Sequence, residues 1–485
     1  DSVGVIYVAD GDAHRIQVFG ANRVYLRTMG ETNKSGWDFA HFDSPRSLVI
    51  DANRRLYVAD GWNGRVQVYD ETGAYLTTIG GGASSRTGDL RATHSIAVDA
   101  SGNVYVGEYW DNHRVQKFAP GTPNWVQRNL NGFGDPKSRV ATLSSFGDYL
   151  YAGTSKLTAY GAQLWRMDAS GNWTAMMTNG FGSYYNVGIN HLVEFNGRLY
   201  VGVWNSTPNP PYTDIGGSIW RSTNGTDWEQ VVSNGFGDRY NGEIFRMEVF
   251  SDTLYASTWS YTSTHGAEIW RSSTGDNGDW ARVVSNGLGD VTNQVVTMET
   301  FAGYLYAGTY SWDSSAGRPN GCEIWRSGDG SSWTRVITDG FGNVNCYKLS
   351  ALAAFGDYLY AGAGIWDPDT QTNPGGEVWR CASASGCNEV GDWQRVIANG
   401  LGDPNNDEMM AFAVLDNQLY VVAHNFQTGL NVWRTVDGIS WVQVGYRGLG
   451  DSNNQGTYWD NDMAVFNSHL YLGVWNNYAG GKIWQ

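Results

Sequence analysis

Five aspartates recur at one place in the sequence: Asp135, Asp238, Asp290, Asp403 and Asp451 each follow Gly-Phe-Gly or Gly-Leu-Gly directly. A carboxylate there can accept a hydrogen bond from the backbone two residues on, which is the default for Asp in a turn. It can also ligate a hard cation such as calcium if further oxygen donors converge on it. The Asp- and Asn-rich stretches 403–407 and 460–462 offer such donors, but none follows the order of a known calcium loop. Calcium is therefore the one optional cofactor and none is required. A second series is aromatic, comprising Trp204, Trp259, Trp312, Trp366 and Trp475, with Phe426 in the remaining register. Aromatic faces beside carboxylates and amides suit sugar rings, which present apolar C–H faces and a belt of hydroxyls. The competing reading packs each Trp against its neighbouring repeat, and recurrence in nearly every repeat favours that one.

Other reactive side chains form no catalytic set. Arg166, Arg221, Arg271, Arg326, Arg380 and Arg434 each follow a Trp in repeat after repeat, which marks a structural ladder. The eight histidines show no i, i+4 pair or other ligand spacing, and His14 and His113 occupy one repeat position suited to capping a turn. The four cysteines, Cys322, Cys346, Cys381 and Cys387, fall within one 66-residue stretch. Their even number suits two disulfides, Cys381 with Cys387 stapling a hairpin tip and Cys322 with Cys346 tying one repeat to the next. A four-thiolate zinc site is the rival, without the paired C-x₂-C form. Sequons at Asn33, Asn172, Asn205 and Asn224 fit an exported glycoprotein, although Pro208 weakens the third.

The elements that must position these residues are short strands. A Tyr within a stretch such as Leu-Tyr-Ala-Gly-Thr recurs at Tyr7, Tyr57, Tyr105, Tyr151, Tyr200, Tyr255, Tyr306, Tyr360, Tyr420 and Tyr471, at intervals of 46 to 60 residues. That period belongs to blades of four antiparallel strands, with the Tyr on the second. Sixty-three glycines, 23 Trp and 28 Tyr fit many aromatic strands joined by tight turns.

Two kinds of repeat meet near residue 123. Before it, Leu56 to Asp60 is followed by Arg65-Val66-Gln67-Val68-Tyr69, and the same order appears at Ile6 to Asp10 with Arg15 to Phe19, and at Val104 to Glu108 with Arg114 to Phe118. This part resembles NHL-repeat propellers. Beyond it, seven copies carry Asn-Gly-Phe/Leu-Gly-Asp or a close variant of it, a strand-three Trp (Trp165, Trp220, Trp270, Trp325, Trp379, Trp433, Trp484) and a strand-four Trp (Trp125, Trp173, Trp228, Trp280, Trp333, Trp393, Trp441). Turns such as residues 327–333 and 435–441 resemble the Asp-box of BNR or sialidase-like propellers, one residue shorter than usual and with Asn224 replacing the Asp in one copy.

The resemblance implies an all-β fold of about ten four-stranded blades. In the preferred arrangement, residues 1–122 form three NHL-like blades of an incomplete propeller. Residues 123–485 then form a seven-bladed ring closed by the strand at 124–130, which supplies the fourth strand of the last blade and leaves no open edge. A single ten-bladed ring is the alternative. Asp1 aligns with Asp51 and Asp99, so the chain is expected to start inside a blade of a longer natural polypeptide.

A formal charge of −16 and pI near 4.8 argue against nucleic acid, whose binding rests on Lys and Arg at phosphates. There is no apolar run of 18 or more residues, so no membrane insertion is expected. The expected function is non-enzymatic: a secreted or cell-surface propeller that binds a glycan or protein surface through its loop faces. A structural subunit of a surface layer, sheath or filament, self-assembling through incomplete terminal blades, is the second reading. A sialidase-like glycoside hydrolase or lyase is the third, opposed by the missing non-periodic arginine cluster.

Overall fold

The computed structural model describes residues 4–485 apart from 39, 52–53, 81–89, 100–101, 110–112, 119–124, 156–160, 207–214, 261–264, 446, 456–462 and 477. Among the described residues the regular elements are strands joined by turns, with 3-10 turns and one four-residue helical turn. The chain divides into two compact units. One comprises Asp1–Val126, Phe426–Val432 and Gln443–Asn454, the other Gln127–Asn425, Trp433–Val442 and Gln455–Gln485.

In the first unit a four-stranded antiparallel meander runs through Pro45–Ile50, Leu56–Asp60, Arg65–Tyr69 and Tyr75–Gly80, with a three-stranded sheet on either side of it in sequence. One hydrogen-bond network accounts for the sequence pattern. Asp60, fully buried, accepts from Asn63 Nδ2 at 2.9 Å, Arg65 Nε at 2.8 Å and Gln67 Nε2 at 3.1 Å. Burying both charges is tolerable because each is paired and its remaining polar atoms find backbone partners, such as Arg65 on the carbonyls of Asp38 and His41. Asp10 with Arg15, and Glu108 with Arg114 and Gln116, repeat the arrangement.

The second unit repeats one meander. In Glu243–Phe250, Thr253–Trp259, Ile269–Ser272 and Ala281–Val284, each strand pairs antiparallel with the next, from Glu243↔Trp259 to Phe250↔Thr253 in the first hairpin. The core lies between consecutive sheets. Tyr151, Leu164 and Met177 of one repeat pack with Ile189, Leu199 and Val201 of the next, and the pattern recurs along the unit. Serial four-stranded meanders with cores between neighbours make this a β-propeller architecture.

The Asn-Gly-Phe/Leu-Gly-Asp motif fastens one repeat to the next. Its central Phe or Leu sits in the left-handed region, with φ of 61° at Phe236 and 60° at Phe341. Such a conformation is costly for a side chain of this size and needs compensation. The Phe236 ring stacks on Trp270 at 4.5 Å and 3°, and Phe133, Phe181 and Phe341 stack on Trp165, Trp220 and Trp379 in the same way. The strand-four Trp meets the same ring edge-on, as Trp280 does at 5.4 Å. Gly235 must precede Phe236, because a Cβ there would lie 2.6 Å from the Asn241 carbonyl oxygen.

Both disulfides form as expected, Cys322 with Cys346 and Cys381 with Cys387. The first joins a residue just before the strand Ile324–Ser327 to the first strand of the following repeat, Cys346–Phe355.

Candidate functional site

Four of the five tryptophans singled out above fall at the carboxyl end of a second strand: Trp204 in Arg198–Asn205, Trp259 in Thr253–Trp259, Trp312 in Tyr304–Asp313 and Trp475 in His469–Asn476. Trp366 directly follows Tyr358–Ile365. Among the described residues, Trp259 and Trp312 share a cavity of about 200 Å³ between two consecutive repeats. Tyr310, Gln294, Thr292 and Asp313 complete its working lining.

The two rings have different surroundings. Trp259 is only 4% exposed and packs against Phe245 at 5.3 Å and Tyr310 at 5.1 Å, so it builds the wall. Trp312 is half-buried, its strand extended by the short pairing Trp312↔Pro319 and Asp313↔Arg318. Gln294 Oε1 accepts the Ser260 amide at 3.2 Å, and Thr292 Oγ1 donates to Asp290 at 2.8 Å. Burial, reinforced by the charge of Glu408, pushes the Tyr310 hydroxyl up to about 12, which keeps it a neutral donor. The cavity therefore offers an aromatic face with amide, hydroxyl and carboxylate groups at its border. Elsewhere Trp475 lies under the Arg139 guanidinium at 3.7 Å, and a Cβ on Gly188 would come within 3.2 Å of the Trp204 ring.

The five aspartates stay in separate loops, each capping its own turn. Asp135, Asp238, Asp290, Asp403 and Asp451 accept the amides of Lys137, Tyr240, Thr292, Asn405 and Asn453 at 2.9 to 3.1 Å. Among the described residues no three His, Cys, Asp or Glu side chains are grouped so as to hold a metal; residues 460–462 lie outside them. Of the sequon residues, Asn33, Asn172 and Asn224 are exposed and Asn205 is half-buried. Asn224 Nδ2 donates to Asp227 at 2.7 Å while its Oδ1 organises the turn.

The arginine ladder is structural. Arg326 and Arg380 lie over Tyr304 and Tyr358 at 4.4 and 4.3 Å, and each reaches a turn carbonyl of the following repeat, Gly386 and Asp437 respectively.

A second cavity, of about 180 Å³, was not anticipated. His191, Arg246, Glu248, Thr297 and Glu299, from three successive first strands, line it together with Ser350. Burial and the charge of Glu299 push Glu248 up to about 8, burial alone pushes Glu299 to about 7, and burial with the Arg246 charge holds His191 down at about 3. The one sequence signal was a departure from the repeat: other copies carry Ser, Val or Ala where Glu248 and Glu299 stand.

The NHL repeat family matches residues 42–69 and 94–118. NHL repeats are present in this chain. No curated protein matches it. Among solved structures, a streptogramin B lyase is 11% identical, with 74% of this chain and 96% of that one covered at a TM-score of 0.48. YCF48 from Cyanidioschyzon merolae is 13% identical, with 74% and 98% covered at 0.42. Trypanosoma rangeli sialidase in complex with sialic acid is 12% identical, with 80% and 57% covered at 0.38. At these identities and scores the likenesses do not bear on activity.

Proposed function

We propose that the protein is a non-enzymatic, extracellular binding propeller that takes a carbohydrate at the Trp259–Tyr310–Trp312 cavity. The observation that carries this reading is the half-buried Trp312 beside a rigid aromatic wall and a border of amide, hydroxyl and carboxylate groups. A sugar ring would stack on the indole while its hydroxyls exchange hydrogen bonds with Gln294, Thr292 and Asp313. Two disulfides support an oxidising compartment. The strand-three arginines are engaged in the ladder, and the second cavity carries one arginine, Arg246, rather than the cluster a sialidase-like centre would need, which disfavours hydrolysis.

We further read the second unit as a closed ring of seven blades. Arg139–Phe146 shares a core with Met463–Phe466 and His469–Asn476 through Val140, Leu143, Phe466 and Tyr471. Gln127 bridges Trp484, and the Arg128 amide donates to the Ile483 carbonyl at 2.7 Å, so the segment from 127 lies alongside the last strand.

A glycan array probed with the whole chain, with and without EDTA and beside Trp312→Ala, tests the binding reading. Binding to a defined glycan set, weakened about tenfold or more in the variant, is expected. Loss of that binding in EDTA would add calcium to the account. A blank array, or binding indifferent to Trp312, would overturn it.

A further inference from the structure

In six first strands of the second unit a β-bulge falls immediately before one residue: Thr142, His191, Arg246, Thr297, Ala351 and Ala411. A bulge re-aims the side chain beside it, and here it serves the second cavity. Residues that merely hold a repeat fold agree from copy to copy, as the Trp and Arg series do. These do not. Two residues further on, the copies read Ser144, Val193, Glu248, Glu299, Ala353 and Ala413. At these positions ionisable groups stand in three neighbouring repeats and alanine in the two that follow, while the seventh copy's Asp462 lies outside the described residues.

We propose that this cavity is a binding site for a small organic carboxylate, with Arg246 as the counter-charge and His191 and Thr297 as neutral donors. Arg246 donates through Nε to the Val296 carbonyl at 3.1 Å and lies over Phe245, but no carboxylate among the described residues comes within ion-pair distance of its guanidinium. The fork of terminal nitrogens is left for a ligand, and a carboxylate matches it with two parallel hydrogen bonds. His191 Nδ1 accepts the Met247 amide at 3.3 Å, so the ring proton is on Nε2 and can be donated. Thr297 Oγ1 accepts the Leu352 amide at 3.2 Å and keeps its own proton to give. The volume equals that of about six waters, which fits an anion of a few carbons. A phosphate would place a second negative charge beside Glu248 and Glu299 with only one cation to meet it.

The same groups make binding depend on pH. His191 faces the cavity from Asn186–Phe195, Arg246 and Glu248 from Glu243–Phe250, and Glu299 from Asn293–Phe301. On the next two strands Lys348 and Glu408 are paired with each other at 2.8 Å. With both glutamic acids protonated, Arg246 is the uncompensated charge. Once they ionise, they repel an anion and compete for the guanidinium.

Titration calorimetry of the whole chain with lactate, and with lactamide as its uncharged counterpart, tests the site. Lactate should bind at pH 6, with lactamide weaker by about tenfold or more, and Arg246→Met should lose a similar factor while Arg246→Lys keeps part of it. Affinity should fall between pH 6 and 9 in the wild type but not in Glu248→Gln/Glu299→Gln, a readout that stands even if Arg246→Met folds poorly. Equal binding of lactate and lactamide, no binding at pH 6, or an unaltered pH dependence in the double variant would overturn the proposal.

Discussion

Glu323 shows how one periodic residue holds a repeat. Its Oε2 accepts from Trp325 Nε1 and from the buried Asn293 Nδ2, both at 2.8 Å, and its Oε1 accepts from Arg335 at 2.8 Å. Glu268 and Glu377 act similarly on Trp270 with Arg282 and on Trp379 with Arg395. Equally specific is the contact between a second-strand Tyr and the turn of the following repeat. A Cβ on Gly330, whose φ is +68°, would lie 1.7 Å from the Tyr255 hydroxyl, whereas one on Gly303, at φ +81°, would meet nothing within 4 Å. Gly330→Ala should therefore cost about 2–4 kcal/mol, combining backbone strain with overpacking. Gly303→Ala should cost about 1–2 kcal/mol from the backbone alone. Denaturant titration of both variants checks the difference.

Among the elements, the strands were readable because Leu-Tyr-Ala-Gly and Trp-Arg-Ser mark them by residue type. The contacts that lock repeats together were not. Tyr200 donates to the Thr274 carbonyl across 74 residues, and Phe236 finds Trp270 only when two repeats are already adjacent. The first-strand bulges leave no mark in residue type either, so the cavity they line stayed hidden, although the departures at Glu248 and Glu299 were in plain view. Tyr310 occupies the register of Trp259 and Trp312 stands two residues further on, so the two indoles differ in position as well as in packing. The disulfides were legible as pairs, and their loops differ in length, 24 residues for Cys322–Cys346 and 6 for Cys381–Cys387. On chain entropy, replacing the first pair by serine should cost about 3 kcal/mol and the second about 2 kcal/mol. Melting of the two double-serine variants should rank them in that order.

At the scale of the whole molecule, opposing titrations set an optimum pH. His191 is held at about 3, below its ordinary 6.5, so the unfolded chain binds the proton more readily and stability falls as pH drops from 6.5 toward 3. Turn hydrogen bonds also lower Asp329 and Asp437, whose contribution is lost as pH falls below the ordinary carboxylate range. Glu248 and Glu299 are raised to about 8 and about 7, so the folded chain holds protons the unfolded one releases, and stability falls as pH rises from 4.5 through those values. Two raised glutamic acids outweigh one lowered histidine above that point, so the melting temperature should peak at about pH 4.5–5. In Glu248→Gln/Glu299→Gln the alkaline decline should be shallower, although repulsion within a chain of net charge −16 will preserve part of it.

Under the proposed function, periodic side chains hold the fold while Trp312 carries ligand binding. Side-by-side melting and glycan titration of Trp312→Ala and Glu323→Ala test it most directly. Trp312→Ala should melt within a few degrees of the wild type and lose binding by about tenfold or more. Glu323→Ala, which strands the buried Asn293 donor, should lose about 2–4 kcal/mol yet bind normally below its melting transition. Full glycan binding by Trp312→Ala, or undiminished stability in Glu323→Ala, would contradict the claim.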